Sequence, residues 1–131
     1  QHDPEVTHAA PYAYVNSYVG PCCPGHEGRT LANWYTSSAS WTLLSITDRL
    51  LGVRPTYEGL LIDPCLPAEW ERASLRRAWR GAEYEVVITK PKGLTEGPVT
   101  LAIDGSAQPG NLVPPHEDGN LHQVSAEIQP A

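Results

Sequence analysis

From Ser38 to Leu51 the chain writes a helix with more apolar surface than the rest of the sequence can cover. Trp41, Leu43, Leu44, Ile46, Leu50 and Leu51 spread over more than one helical face, and Asp48 and Arg49 are its only charges, so the pattern demands neighbours on several sides. No other segment carries a convincing amphipathic helical pattern of similar length. The helix is therefore expected to borrow partners from sequence outside this chain or from another chain. Gly52 is its expected stop, because a glycine just past the last turn takes up a left-handed conformation without a Cβ penalty.

After Gly52 the character changes. "GLLID", "LRRAW", "AEYEVVIT", "VTLAID" and "HQVSAEI" are short, β-rich and separated by Gly, Pro and Asp-Gly turn signals. Tyr84, Val86 and Ile88 alternate with Glu83, Glu85 and Val87, and Val99, Leu101 and Ile103 alternate with Thr100, Ala102 and Asp104. This is the period-two signature of a half-buried sheet, expected to be antiparallel, with Arg80-Gly81-Ala82 and Asp104-Gly105 as tight turns. The C-terminal half reads as a β-sandwich of modest size. Ahead of the helix, Gln1 to Ala10 is polar and unpatterned, "PYAYVNSYVG" is a short extended segment ended by Gly20-Pro21, and "PCCPGHEGRT" is a loop.

Composition narrows the classes. At 131 residues one domain is the default, yet the chain begins at Gln1, lacks Met and Phe and carries 13 Pro and 11 Gly, so it reads as a C-terminal fragment. Fifteen acidic residues against nine basic ones, with no basic cluster larger than "SLRRAWR", argue against a surface that tracks nucleic-acid phosphates. Three cysteines without paired spacing, no Asn-x-Ser/Thr site and no signal peptide point to a reducing cytoplasm. Apolar runs of a handful of residues fall well short of the roughly 20 that cross a bilayer.

The helix start holds the strongest site candidate. In "NWYTSSASW", Thr36, Ser37 and Ser38 stand where a side-chain oxygen can cap orphan N–H groups, an effect of about 1 kcal/mol. The same free amides, partial positive charge and extra hydroxyls also describe an anion site, so both readings stand at this point. Cys22, Cys23 and His26 make a poor metal site, because adjacent cysteines point apart and structural zinc takes four ligands in spaced pairs. His2, His8, His116 and His122 lie in polar, loop-like contexts and read as solvated. Asp48, Glu58, Asp63, Glu69, Glu83 and Glu85 are available as acid–base groups, with nothing to pair two of them across a substrate. Trp34, Trp41, Trp70 and Trp79 suit either sugar stacking or a core without Phe.

At "GVRPTYEGLLIDPCLPAEW", Gly52 to Trp70, the chain resembles the C-terminal part of the glycoside hydrolase family 94 phosphorylases, a group that includes cellobiose and chitobiose phosphorylases. "APYAYVNSYVGP" is similar to the family's E-P-Y-V-Y-x-x-x-Y-x-G-P segment and "NWYTSSASW" to its W-[LY]-T-G-[TS]-A-x-W. "RRAWRGAEYEVVI" is similar to its R-x-F-R-G-A-x-Y-x-[IV] hairpin, and "GNLVP" to its closing G-N-x-I-P. Tyr35 and Ser38 look like the cyclic β-1,2-glucan synthase branch, whereas "GVRPTYEGLLIDPC" looks more like the disaccharide phosphorylases.

The resemblance implies an α+β fragment: the last helical element of an (α/α)₆ toroid in residues 1–58, followed by a C-terminal antiparallel β-sandwich in residues 59–131. It implies inverting phosphorolysis of a β-glucoside, with inorganic phosphate as co-substrate, no other cofactor and no metal. Phosphate attacks the anomeric carbon while a carboxylic acid protonates the leaving oxygen, so no general base is required. Thr36 and Ser37 fall on the family's phosphate-binding Thr-Gly pair and Ser38 on the next Thr or Ser, while Ala10 replaces a Glu. The family's general acid and its phosphate-binding Arg and His lie upstream, so no catalytic residue is expected in this chain and the chain alone is expected to be inactive. Implied partners are a β-linked gluco-oligosaccharide or disaccharide, phosphate, the N-terminal part of the enzyme and a second copy in a homodimer, with neither nucleic acid nor membrane. The alternative is a non-catalytic carbohydrate-binding or structural β-sandwich module.

Overall fold

The computed structural model describes residues 4–9, 15, 17–30 and 38–130. Backbone contacts divide the chain into two compact units, Gln1–Leu43 and Leu44–Ala131.

In the first unit, a proline whose φ is preset for a first helical turn opens α1 (Pro4–Thr7), a short helix in a stretch expected to be unpatterned. The Thr30 N–H donates to the Thr7 carbonyl at 2.9 Å. Tyr18 and Thr30 form an antiparallel bridge, closed by bonds from Val19 N–H to Arg29 O at 2.8 Å and from Gly28 N–H to Val19 O at 3.0 Å. Between these ends "PCCPGHEGRT" runs as consecutive turns, as its Gly and Pro content predicts, with Cys22 and Cys23 exposed and unbridged. Pro11 to Tyr14 and Asn16 of the expected extended segment lie outside the described residues.

The long helix is shorter than its apolar pattern suggests. α2 (Ser38–Ser45) gives way to a π-helical turn, Ile46–Leu50, in which Leu51 N–H reaches back to Ile46 O at 2.8 Å. No residue of α2 is buried, and Trp41, Leu43 and Leu44 are 69%, 63% and 48% exposed. Two residues beyond Gly52 hold the π turn in place. Arg77 Nη1 donates to Asp48 Oδ1 at 2.8 Å and to the Val53 carbonyl at 2.6 Å, and Cys65 N–H donates to the Leu50 carbonyl at 3.1 Å. Gly52 takes the expected left-handed conformation, φ 63°.

The strands run in chain order as β1 (Val53–Pro55), β2 (Leu60–Ile62), β3 (Arg72–Trp79), β4 (Ala82–Thr89), β5 (Val99–Ile103), β6 (Ser106–Gln108), β7 (Leu112–Val113) and β8 (Leu121–Ile128). They make a three-stranded antiparallel sheet, β1-β2-β7, and a five-stranded sheet, β3-β4-β8-β5-β6. The division after residue 58 falls inside the turn between β1 and β2, where Thr56 N–H bonds Gly59 O at 2.8 Å. The expected turns are present. Arg80-Gly81 (φ 44° and 74°) closes the β3–β4 hairpin on the pair Trp79 and Ala82, and Asp104-Gly105 (φ 50° and 80°) closes β5–β6 on Ile103 and Ser106. Positive φ at both turn residues gives the turn whose twist matches that of the flanking strands.

One expectation is corrected. The five-stranded sheet is mixed, because β8 returns between β4 and β5, antiparallel to β5 but parallel to β4, with Tyr84 opposite His122 and Val86 opposite Val124. Strand alternation reports which face is buried and carries no information on direction, which here is set by the long β4-to-β8 connection.

The buried faces of both sheets share one core. Tyr84, Val86 and Ile88 of β4, Leu101 and Ile103 of β5, and Val124, Ala126 and Ile128 of β8 cluster with Val53, Leu60, Ile62 and Val113 of the smaller sheet and with Leu66. Each fully buried Val, Leu or Ile side chain contributes about 1.5–3 kcal/mol, so this cluster rather than α2 carries the stability of the chain.

Gly52 and Gly105 separate two costs of replacing a left-handed glycine. At Gly52 a Cβ would overlap the backbone of Asp63 and Pro64, whereas at Gly105 it meets open space. In chemical denaturation of the full chain, Gly105→Ala is expected to cost about 1 kcal/mol and Gly52→Ala at least about 3 kcal/mol. Equal losses would mean that contact with the Asp63 backbone does not constrain the helix stop.

Candidate functional site

Of the three hydroxyl residues expected at the site, Thr36 and Ser37 lie outside the described residues, as do Trp34 and Tyr35; Ser38 is the first residue of α2 and is exposed. The sequence places a helix start here, and a helix starts at Ser38.

The candidate carboxylates disperse. Asp48 is taken by Arg77. Its partial burial opposes ionisation, but hydrogen bonds from Arg77 and Thr47 and the charges of Arg77 and Arg54 outweigh that, leaving its carboxyl below the ordinary value. Glu83 pairs with Arg76 across the hairpin, and Glu85 Oε2 accepts from Gln123 Nε2 at 2.7 Å. Glu58, Asp63 and Glu69 do not join them: all three are exposed. Trp70, 45% exposed, lines a groove of about 450 Å³ with Ile46, Leu50, Leu51 and Arg72, while Trp79 packs at the edge of the core.

A polar cluster that sequence reasoning misses lies where the buried face of β4 and β8 meets the connection from β7 to β8. Expected to be solvated, His122 is instead 7% exposed. The local reason is plain: His122, Val124, Ala126 and Ile128 alternate along β8, and all four are buried. His122 Nδ1 lies 2.7 Å from Asp104 Oδ2, and Nε2 lies 3.2 Å from Asp118 Oδ1. The His116 ring stacks on that of His122 with centroids 3.8 Å apart, and Tyr84 stacks on the same ring at 5.7 Å. The Tyr84 hydroxyl accepts the backbone N–H of His116 at 3.1 Å and lies 3.2 Å from His116 Nδ1. Next to Tyr84, Trp79 is 6.2 Å away and carries the Arg80 guanidinium over its ring at 4.9 Å. The period-two pattern of "HQVSAEI" is the available signal, since it puts His122 on the same face as Val124.

The charges in this cluster are mutually supporting. The bond from His122 lowers Asp104, helped by the backbone N–H of Gln123, and the backbone and side chain of Asn120, with His122, lower Asp118. His122 in turn is raised above its ordinary 6.5, chiefly by Asp104 and against the desolvation of its ring. Nothing in the cluster resembles a nucleophile with its base. Among the described residues, no three His, Cys, Asp or Glu side chains converge as a metal site.

Comparison with known proteins gives the chain its context. Residues 53–106 match the C-terminal domain of glycosyl hydrolase family 65. Over 118 residues, 90% of this chain and 15% of the other, it is 36% identical to a solabiose phosphorylase of Paenibacillus borealis. It is 33% identical to an N,N'-diacetylchitobiose phosphorylase of Vibrio proteolyticus over 88% of this chain and 14% of that one. A 3-O-beta-D-glucopyranosyl-beta-D-glucuronide phosphorylase of Paenibacillus borealis is 31% identical over 91% of this chain and 15% of its own length. The chain is similar over most of its own length to a segment of these glycoside phosphorylases. It spans about a seventh of the length of these curated relatives. Of the polar cluster, the family 65 match takes in Trp79, Arg80, Tyr84 and Asp104 and stops before His116, Asp118 and His122.

The Tyr84 hydroxyl is the one polar group that this fully buried side chain brings into the core, and it satisfies a backbone amide. Tyr84→Phe is expected to lower the unfolding free energy of the full chain by about 1–3 kcal/mol, the cost of leaving that amide without its acceptor. An unchanged denaturation midpoint would mean that the hydroxyl adds nothing to stability.

Proposed function

We propose that this chain is the C-terminal portion of an inverting glycoside phosphorylase of family 94. Such an enzyme converts a β-glucoside and inorganic phosphate into a sugar 1-phosphate and a shortened acceptor. The observation that carries the reading is similarity at 31–36% identity, over roughly nine-tenths of the chain, to proteins that are all named as phosphorylases. Their names specify different sugars, so the proposal is a reaction class and not a particular disaccharide.

In this reading residues 1–58 finish an (α/α)₆ catalytic domain and residues 59–131 form the β-sandwich behind it, with β1 contributed from the catalytic side of that division. The surface of α2 supports it. Trp41, Leu43 and Leu44 are exposed on one short helix, and contiguous exposed apolar surface of this kind is the mark of a face that another element covers.

Thr36, Ser37 and Ser38 form one side of the phosphate site, offering hydroxyls and the amides of a helix start to a dianion. The general acid and the cationic phosphate ligands come from upstream sequence, so this chain supplies position and hydrogen bonds, and the rest of the enzyme supplies charge and proton. Loss of one hydroxyl bonded to a phosphate dianion costs about 1.5–3 kcal/mol, or roughly ten- to hundredfold in affinity.

The test uses a full-length phosphorylase that carries this chain as its C-terminal part. Thr36→Ala is expected to raise the KM for phosphate by roughly ten- to hundredfold while leaving the KM for the sugar within about twofold. The 131-residue chain alone is expected to release no phosphate from glucose 1-phosphate with any acceptor. An unchanged phosphate KM would remove Thr36 from the site, and turnover by the pure chain would overturn the division of labour.

A further inference from the structure

We propose that His122 is a proton-operated latch that fastens the loop between β7 and β8 to the turn between β5 and β6. The number of donors on the ring decides this. Asp104 and Asp118 approach the two ring nitrogens of His122 from two different turns, at 2.7 and 3.2 Å. An ionised carboxylate only accepts, so both nitrogens must carry hydrogen, and only the imidazolium has two N–H groups. A neutral ring has one. It keeps a single carboxylate and turns a bare lone pair toward the other, which repels it.

The surroundings admit one cation and little else. Facing His122 are Tyr84 from β4, Asp104 from the β5–β6 turn, and His116 and Asp118 from the loop; Arg80, in the β3–β4 turn, is held over Trp79. Glu85 pairs with Gln123 and Glu83 with Arg76. Because the Tyr84 hydroxyl already accepts the His116 amide, its own proton is free for His116 Nδ1, which then serves as an acceptor. The ring stacked at 3.8 Å is thereby provided with a hydrogen bond that needs no second positive charge beside His122.

The direction of the response is set by the titrations. His122 is raised above 6.5, so its contribution is complete below that value and is lost as pH climbs through the raised one. Asp104 and Asp118 are lowered from 3.8, so theirs is complete above that value and fails only in stronger acid. The latch is closed between these limits and opens on the alkaline side. Asp104, at the shorter distance, keeps the neutral ring; Asp118 lets go, and the loop that contains it loosens. Opening stays local, because the β4–β8 and β5–β8 ladders do not depend on the charge of the ring.

Hydrogen exchange read by mass spectrometry on the full chain from pH 5.5 to 9, corrected for intrinsic exchange rates, tests this, with the His122 ring nitrogens followed by NMR in the same samples. Protection of peptides covering residues 114–120 is expected to fall at least about tenfold as His122 deprotonates, while protection of peptides covering β3 holds. Asp118→Asn is the decisive variant, since a neutral amide whose oxygen still accepts the Asn120 N–H removes both the attraction to the imidazolium and the repulsion by a bare ring nitrogen. It is expected to keep the loop protected through pH 9, and His122→Gln to show no step. The latch is overturned by loop protection that does not change as the ring titrates, or by a step of the same size in Asp118→Asn.

Discussion

The larger sheet depends on its last strand. β8 lies between β4 and β5, so neither the β3–β4 hairpin nor the β5–β6 hairpin has its inner partner until the C-terminal segment is in place. Both hairpins are local structures with short, well-matched turns, and such units form readily. Joining them requires a strand that is distant in sequence from β4, and the parallel register between Tyr84 and His122 is the slow, entropically expensive part of the fold. The polar cluster sits at that junction. Asp104 comes from one hairpin, Tyr84 from the other, and His122 from the strand that unites them, so the cluster also marks correct register: a slip by one residue would turn His122 and Val124 to the solvent face.

What could be read from the sequence divides along the same line. The alternation of Tyr84, Val86 and Ile88 and the positive-φ turns at Arg80-Gly81 and Asp104-Gly105 are local and legible, as is Gly52 as a helix stop. The direction of β8 is not, because pairing partners are chosen by the whole chain and a strand pattern has no polarity. His122 is misread for a related reason. A histidine near asparagine, glycine and aspartate looks like a loop residue until its own strand is counted from the other end. The π turn after α2 is equally hidden, since its Asp48 contact comes from Arg77 on a strand 29 positions away. The hydroxyls ahead of α2 are legible as a cap or anion site from local chemistry, and only the family motif favours the anion; Thr36 and Ser37 lie outside the described residues, so that preference stands on sequence.

Two kinds of polar organisation are therefore distributed through one small chain. In the proposed site at the start of α2, hydroxyls and helix-start amides suit an anion, with the positive charge left to other sequence. At the β7–β8 loop, Asp118, His122 and Asp104 find their partners in one another. The first is the arrangement of a segment that completes a site elsewhere, and the second that of a structure closed on itself. The similar phosphorylases are about seven times longer than this chain, which nonetheless folds around a core of its own.

β3 is one of the two outer strands of the five-stranded sheet among the described residues, eight residues long and capable of templating another strand along its outer edge. Its solvent-facing side chains are Arg72, Ser74, Arg76 and Ala78, small or cationic throughout. Two copies meeting edge to edge would bring guanidinium groups against one another, at an energetic penalty that a row of valines would not impose. The strand is thus guarded against fibrous self-association by its arginines, one of which, Arg76, also ties it to Glu83 on its neighbour.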